Sequence, residues 1–166
     1  MRPDVLQFTH EDSDGYVYIL GKGVAAQDEW AFRMYSFVTP GENPPRPNRV
    51  SFYVWELAGG EGSGSYFQDP ITAQTWMYLV ATVDLTVTPK YPLGCVAIYR
   101  AGIIRETTSL AEFETVPANG TAPMRVGTRD GESFFQGAVG KVAVYDRLMT
   151  PAEINSRIDT MLLTNG

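Results

Sequence analysis

The stretch MRVGTRDGESFFQGAVGKVAVYDRLMTPAEI, Met124–Ile154, decides the fold class. It opens on a short apolar run, Met124–Gly127, and reaches Asp130-Gly131, whose simplest reading is a hairpin turn. Val139–Tyr145 follows as a clean final strand. Thr150 then stands as an N-cap, with Pro151 at the first helical position and Glu153 three residues after the cap. That grammar predicts a helix over Pro151–Met161. Helix signals of this quality occur nowhere earlier, so the one helix comes last.

Working outward, the rest of the chain reads as short strands cut by Gly, Pro, Asn and Asp. Val5–Thr9 is a weak first strand, and Asp12-Ser13-Asp14-Gly15 is turn chemistry. Tyr16–Leu20 is strong and is ended by Gly21-Lys22-Gly23. Trp30–Val38 precedes Thr39–Asn48, whose Pro40, Pro44, Pro45 and Pro47 predict a loop. Val50–Leu57 alternates, which sets Val50, Phe52 and Val54 on one face and Ser51, Tyr53 and Trp55 on the other. Gly59–Ser65 reads as a glycine-rich loop and Trp76–Leu85 as a long apolar strand. Cys95–Arg100 and Ile103–Glu106 flank Ala101-Gly102, a tight hairpin. Many strands and one late helix predict a single antiparallel β-sandwich, because an α/β fold would need a helix between most strands.

Composition excludes several chemistries. The chain has 166 residues, one cysteine and one histidine. That length suits one domain able to bury roughly 70% of its unfolded surface. An internal disulfide, a Cys/His zinc site and a histidine cluster all need residues that are missing. A net charge of −6 disfavours a phosphate-backbone binder. Asp4, His10, Glu11, Asp12 and Asp14 interrupt the first 22 residues, which predicts no secretory leader.

Three pieces of the chain resemble the laminin G-like, concanavalin A-like jelly-roll superfamily, especially its short bacterial and phage members. QTWMYLVATVD, Gln74–Asp84, is similar to the family strand that opens with Trp. CVAIYRAGIIRE, Cys95–Glu106, is similar to its central hairpin. Met124–Ile154 is the most specific, supplying Gly127, Phe135, Gly137, Val142, Val144, Tyr145, Asp146, Arg147, Leu148, Glu153 and Ile154 at the family's positions. The resemblance implies an all-β antiparallel jelly-roll sandwich with one short C-terminal helix over residues 1–166, with Trp76 and Tyr145 in its core. Two departures stand out. Arg100-Ala101-Gly102 replaces the family's usual Asx-Gly, and the one or two strands that normally precede Val5–Thr9 have no counterpart. An edge left without them would expose backbone donors and acceptors. The expected partner is therefore another chain or neighbouring domain covering the N-terminal sheet edge, in an oligomer or larger assembly.

Candidate site residues follow. Tyr53 and Trp55, outward on their strand, and Tyr66 after the glycine-rich loop are candidates for stacking on the C–H faces of a sugar; packing under a loop or against a neighbouring chain is the equal alternative for Tyr53 and Trp55. Tyr16 and Tyr18 share a face of another strand. Relatives that bind calcium on a sandwich rim imply Asp130 and Glu132 as calcium ligands, since hard cations want several oxygens. No other cofactor is expected. Glucanase relatives imply paired acids, and the candidates are Glu11-Asp12-Ser13-Asp14, Glu56 with Glu61, and Glu112 with Glu114. Ordinary solvated carboxylates are the simpler reading of all three. His10 is expected at an exposed edge and Cys95 as a small buried hydrophobe.

The expected function is thus non-catalytic: a recognition or assembly module rather than an enzyme. A structural, decoration or tail component of a phage virion is the first reading. A carbohydrate- or cell-surface-binding, lectin-like module of a larger secreted protein is the alternative, and a glycoside hydrolase a distant third. Each places the protein on a virion or outside the cell, with no nucleic acid and no membrane insertion.

Overall fold

The computed structural model of the protein describes residues 1–8, 10–13, 15–24, 26–35, 47–59 and 61–162. The strands are β1 (Arg2–Pro3), β2 (Tyr16–Val24), β3 (Gln27–Tyr35), β4 (Arg49–Val54), β5 (Ser63–Tyr66), β6 (Leu79–Asp84), β7 (Cys95–Arg100), β8 (Ile103–Ser109), β9 (Met124–Val126) and β10 (Gly137–Ala138). A 3-10 turn at Leu110–Phe113 follows β8, and the chain ends in two short helices, α1 (Pro151–Ser156) and α2 (Ile158–Leu162). A five-stranded antiparallel sheet, ordered β5-β4-β3-β2-β9, faces a three-stranded one, β6-β7-β8, while β1 and β10 form a separate pair. This is the antiparallel jelly-roll sandwich that the strand count and late helix predict.

The alternation in β4 lands as expected. Val50, Phe52 and Val54 are 0, 6 and 2% exposed and join Val17, Ile19 and Met34 in a core shared with Val96 and Ile98 of the facing sheet. The β7–β8 hairpin also holds: Ala101 and Gly102 take φ of 49° and 76°, the left-handed pair that suits a two-residue turn. A Cβ on Gly102 would come within 2.0 Å of Asn155 Oδ1, so this glycine lets α1 settle on the turn. Ile154 of α1 is fully buried against Tyr78, Tyr99 and Met149, covering the outer face of the small sheet. The predicted cap is complete, with the Thr150 side chain accepting from the Glu153 N–H and the Glu153 carboxylate accepting from the Thr150 N–H at 2.8 Å. The helix breaks at Arg157 rather than running unbroken to Met161.

Several expectations need correction. Residues 5–8 form no strand; Phe8 turns into the core instead. Pairing at the N-terminus falls to Arg2 and Pro3, opposite Ala138 and Gly137. On the other side, the Pro3 carbonyl accepts from the Gln74 N–H at 2.7 Å and the Met1 carbonyl from the Met77 N–H at 2.8 Å. β2 continues through Gly21-Lys22-Gly23 by means of register shifts at Tyr18/Leu20 and Lys22/Gly23. The glycine-rich run is not all loop, since β5 occupies Ser63–Tyr66. The proline-rich stretch lies mostly outside the described residues, as do Asp14 and the last three residues of the predicted Trp30–Val38 strand.

The largest correction concerns residues 139–145, which join no ladder. Gly137 and Ala138 are held by β1, and Lys141 Nζ donates to the Thr160 carbonyl at 2.5 Å. Arg147 binds Glu153 at 2.6 Å. Tied to the N-terminus at one end and to the helices at the other, the segment passes β6 without pairing to it. It leaves a groove of about 580 Å³ between β6, residues 139–149 and the inner face of the large sheet. Trp76 and Tyr145, expected in the core, line that groove and are each 37% exposed.

Candidate functional site: the outward face of the large sheet

An antiparallel sheet with one solvated face normally alternates apolar-in with polar-out. The large sheet does not. Its register aligns Tyr18, Arg33, Ser51 and Tyr66 across β2, β3, β4 and β5, and beside them Ala31, Tyr53 and Gly64. Tyr18, Ala31 and Trp55 are buried in a cluster of their own, with Tyr16 and Tyr53 packed against it. Tyr53 and Trp55 therefore do point outward, on the same face as Tyr66.

Glycines make room for the rings. A Cβ on Gly62 would lie 2.4 Å from Trp55 Nε1, and one on Gly64 would lie 2.7 Å from Tyr53 Cγ and 2.1 Å from the Phe52 carbonyl oxygen. The alternating glycines of this run thus serve the aromatic layer.

Two arginines sit on the layer. The Arg33 guanidinium carbon lies 3.8 Å from the Tyr16 ring centroid, 4.2 Å from that of Tyr53 and 5.2 Å from that of Trp55. Arg33 Nε donates to Ser51 Oγ at 3.3 Å. Arg129 lies 4.3 Å over Tyr18 and 6.0 Å from Trp55. Its guanidinium is committed elsewhere, to Asp28 at 3.0 Å and to Asp130 at 2.7 Å. Burial opposes the Arg129 charge, but the Asp130 hydrogen bond and the charges of Tyr18, Asp28 and Asp130 outweigh it and raise its pKa. Burial likewise pushes the Asp28 carboxyl above its ordinary value against the pull of Arg129. The Tyr18 hydroxyl donates to Asp12 Oδ2 at 2.6 Å; burial first, and that bond second, hold its proton well above the usual phenol range.

The structure places the other candidates individually. Asp130 and Glu132 share the loop after β9, where Thr128 Oγ1 donates to the Glu132 carbonyl at 2.5 Å and Asp130 Oδ1 accepts from the Glu132 N–H at 3.2 Å. The Phe135 N–H closes this loop on the Gly127 carbonyl at 2.9 Å. With the Asp130 carboxylate on Arg129, the loop is organised by an arginine. Among the described residues no three His, Cys, Asp or Glu side chains gather as a cation site. Glu56 Oε1 accepts from the Val116 N–H at 3.0 Å. Glu112 lies in the first turn of the 3-10 segment and Glu114 caps its end at φ 50°. His10 is exposed; Cys95 is half-buried, which raises its thiol pKa.

Sequence reasoning found the aromatic members of this face and missed Arg33 and Arg129. Arg33 was within reach: it shares the parity of Ala31 and Tyr35 in β3, opposite to Trp30, Phe32 and Met34 that enter the core. Arg129 sits in an irregular loop, where no periodicity points.

No curated protein matches the chain. Among solved structures, an S-layer domain-containing protein from Clostridium thermocellum ATCC 27405 is similar at 12% identity, over 93% of this chain and 68% of that one, with a TM-score of 0.32. A family model described as the concanavalin A-like lectin/glucanases superfamily matches residues 6–155, the span that carries both sheets and the capped helix, and the chain belongs to that superfamily.

Proposed function

We propose that the chain is a non-catalytic recognition module that binds carbohydrate on the outward face of its large sheet, displayed on a virion or outside the cell. One observation carries the reading: that face bears half-buried rings of Tyr16 and Tyr53 against Arg33, with Tyr66 on the same face, where a face turned only to water would be polar. Such rings offer apolar planes to sugar C–H faces, and Ser51 and Arg33 supply polar atoms beside them. Trp55 sits deeper and supports the layer from below. Of the carboxylates considered for hydrolysis, that of Glu56 accepts from the Val116 N–H and that of Asp12 from the Tyr16 N–H and the Tyr18 hydroxyl, which favours recognition over catalysis. Among the described residues no helix is long and apolar enough to cross a membrane. A glycan array tests the reading. Wild-type protein should retain a defined set of glycans that Tyr53→Ala and Tyr66→Ala lose; a blank array overturns it.

A second reading, a decoration or tail component of a phage virion or similar surface assembly, is favoured by apolar side chains at the margins of the small sheet. Ile103 and Ile104 of β8 are 60 and 52% exposed, and Val144 beside β6 is 61% exposed. Exposed apolar strand residues suit burial against another copy or a neighbouring domain. The sequence points to a partner at the N-terminal sheet edge; Met1–Pro3 is bonded on both sides by the chain itself, so on this reading a partner would meet β6 and β8 instead. Light scattering that returns a monomer at all concentrations counts against this reading. Calcium on Asp130 and Glu132 would add oxygen ligands at the loop beside Arg129, and a melting temperature unmoved by millimolar calcium removes it.

A further inference from the structure

The geometry points to a carboxylate-bearing sugar as the ligand of the aromatic face, received by the free edge of the Arg33 guanidinium. The inference rests on the carbohydrate reading above and names the chemical class that the site selects.

A half-buried guanidinium usually meets a carboxylate or several carbonyls. Arg33 lies on the rings of Tyr16 and Tyr53, and its Nε donates to Ser51 Oγ at 3.3 Å. Among the described residues neither Nη1 nor Nη2 has an acceptor, and no carboxylate lies within ion-pair distance. Arg129 is the contrast, since its two Nη atoms are held by Asp28 and Asp130. The nearby acids are therefore committed: Asp28 and Asp130 to Arg129, and Asp12 to the Tyr18 hydroxyl and the Tyr16 N–H. Among the described residues, the Arg33 fork, placed by rings and by Nε on the outward face, meets no acceptor.

Such a fork matches a carboxylate through two parallel N–H···O bonds. The rings and Ser51 also restrict its rotamers beforehand, which lowers the ordering cost of binding. The surroundings narrow the ligand further. The face holds three acids and the whole chain is net negative by 6 charges, so a polyanion would be repelled wherever it extended past Arg33. A single carboxylate on an otherwise neutral, ring-shaped molecule fits best: its acid on Arg33 and its C–H face on Tyr53. An acidic peptide would offer the carboxylate without the ring face.

The test uses the whole chain and four probes: a β-linked tetrasaccharide with one glucuronate, its carboxyl-reduced neutral counterpart, an oligouronate acidic at every ring, and a tetra-aspartate peptide. Affinity is measured by calorimetry, and the Arg33 Nε–H resonance is followed by NMR. The expected result is binding of the monoacidic sugar with a shift of that resonance, about tenfold weaker binding of the reduced sugar, and no gain for the oligouronate. Arg33→Gln should bring the two sugars to equal, weak affinity. Arg33→Lys, which keeps the charge and loses the fork, should recover part of the difference. If Arg33→Gln fails to fold, the resonance shift in the wild type decides. Equal affinity for acidic and reduced sugars overturns the inference while the carbohydrate reading stands. Failure of every sugar overturns both. Binding of the peptide alone, through Arg33, overturns both in favour of a protein ligand.

Discussion

Along β5 and β8 the two sheets meet through small hydroxyls, whereas along β6 they part around a groove. On the first side Ser63 Oγ lies 2.7 Å from Thr115 Oγ1, Ser63 also donates to the Leu110 carbonyl at 3.3 Å, and Ser65 bonds Thr108. Phe67 and Leu110 fill the space beneath and are fully buried. On the second side β6 is half-buried along its whole length and residues 139–148 pass it unpaired. Both sides hold apolar strands. The difference is that one has short polar side chains able to saturate each other across the gap, and the other has a segment held elsewhere by Lys141, Arg147 and β1. A sandwich edge closes when its polar groups are satisfied across it, and apolar composition alone does not bring that about.

Emptying each side in turn should separate the two margins most strongly. Phe67→Ala, at a residue 1% exposed, should cost about 3–5 kcal/mol in urea unfolding. Val144→Ala, at a residue 61% exposed, should stay within about 0.5 kcal/mol. Equal costs would mean that the groove side is as tightly packed as the other. Gly64→Ala comes next. Its Cβ would stand 2.1 Å from the Phe52 carbonyl, so β5 must move away from β4, costing up to about 3 kcal/mol. The near-ultraviolet signal of Tyr53 and Trp55 should change with it. Ser63→Ala leaves the buried Thr115 hydroxyl unpaired and should cost roughly 1–2 kcal/mol, with Thr115→Val in the same chain recovering part of the loss.

The smallest effects come from pH. The Tyr18 phenol is raised in the folded state by burial and by its bond to Asp12. Its contribution is therefore fully present below the ordinary phenol pKa of 10.0 and declines as pH rises beyond it. A urea midpoint flat through neutrality and falling above that pH is the expected profile; Tyr18→Phe should flatten the fall. Glu153 runs the other way. Arg147 and the Thr150 N–H lower it to about 2, from 4.5. The anchoring of α1 is complete above the ordinary carboxylate range and is lost as pH falls through about 2. Far-ultraviolet dichroism of Glu153→Gln against the parent should differ at neutral pH and converge in strong acid.

The legibility of these regions from sequence follows their physics. The alternation of β4, the turn at Ala101-Gly102 and the cap at Thr150 are local rules, each satisfied within a few residues, and each lands where it is read. β5 was hidden because the glycines in and before it look like a loop; Gly62 and Gly64 are small because the rings of Trp55 and Tyr53 lie against them, a fact that sequence spacing does not carry. Residues 139–145 alternate as a strand should, and they fail to be one for a non-local reason: Gly137 and Ala138 pair with Arg2 and Pro3. On the candidate site, Tyr53 and Trp55 were readable from parity, and Tyr66 only from its place after the glycine-rich run. The role of Arg33 needed the register of three strands, and that of Arg129 a loop closed by tertiary contacts.

The row of hydroxyls from Ser63 to Thr108 has a mechanical consequence. Two stiff plates fastened along one margin rotate most easily about that margin, and the far margin travels furthest. Rotation about this row would widen the groove beside β6 without breaking a ladder bond in either sheet. The backbone amides of β7, paired on both sides, should then be the last to exchange with deuterated water, and those of residues 139–145 the first.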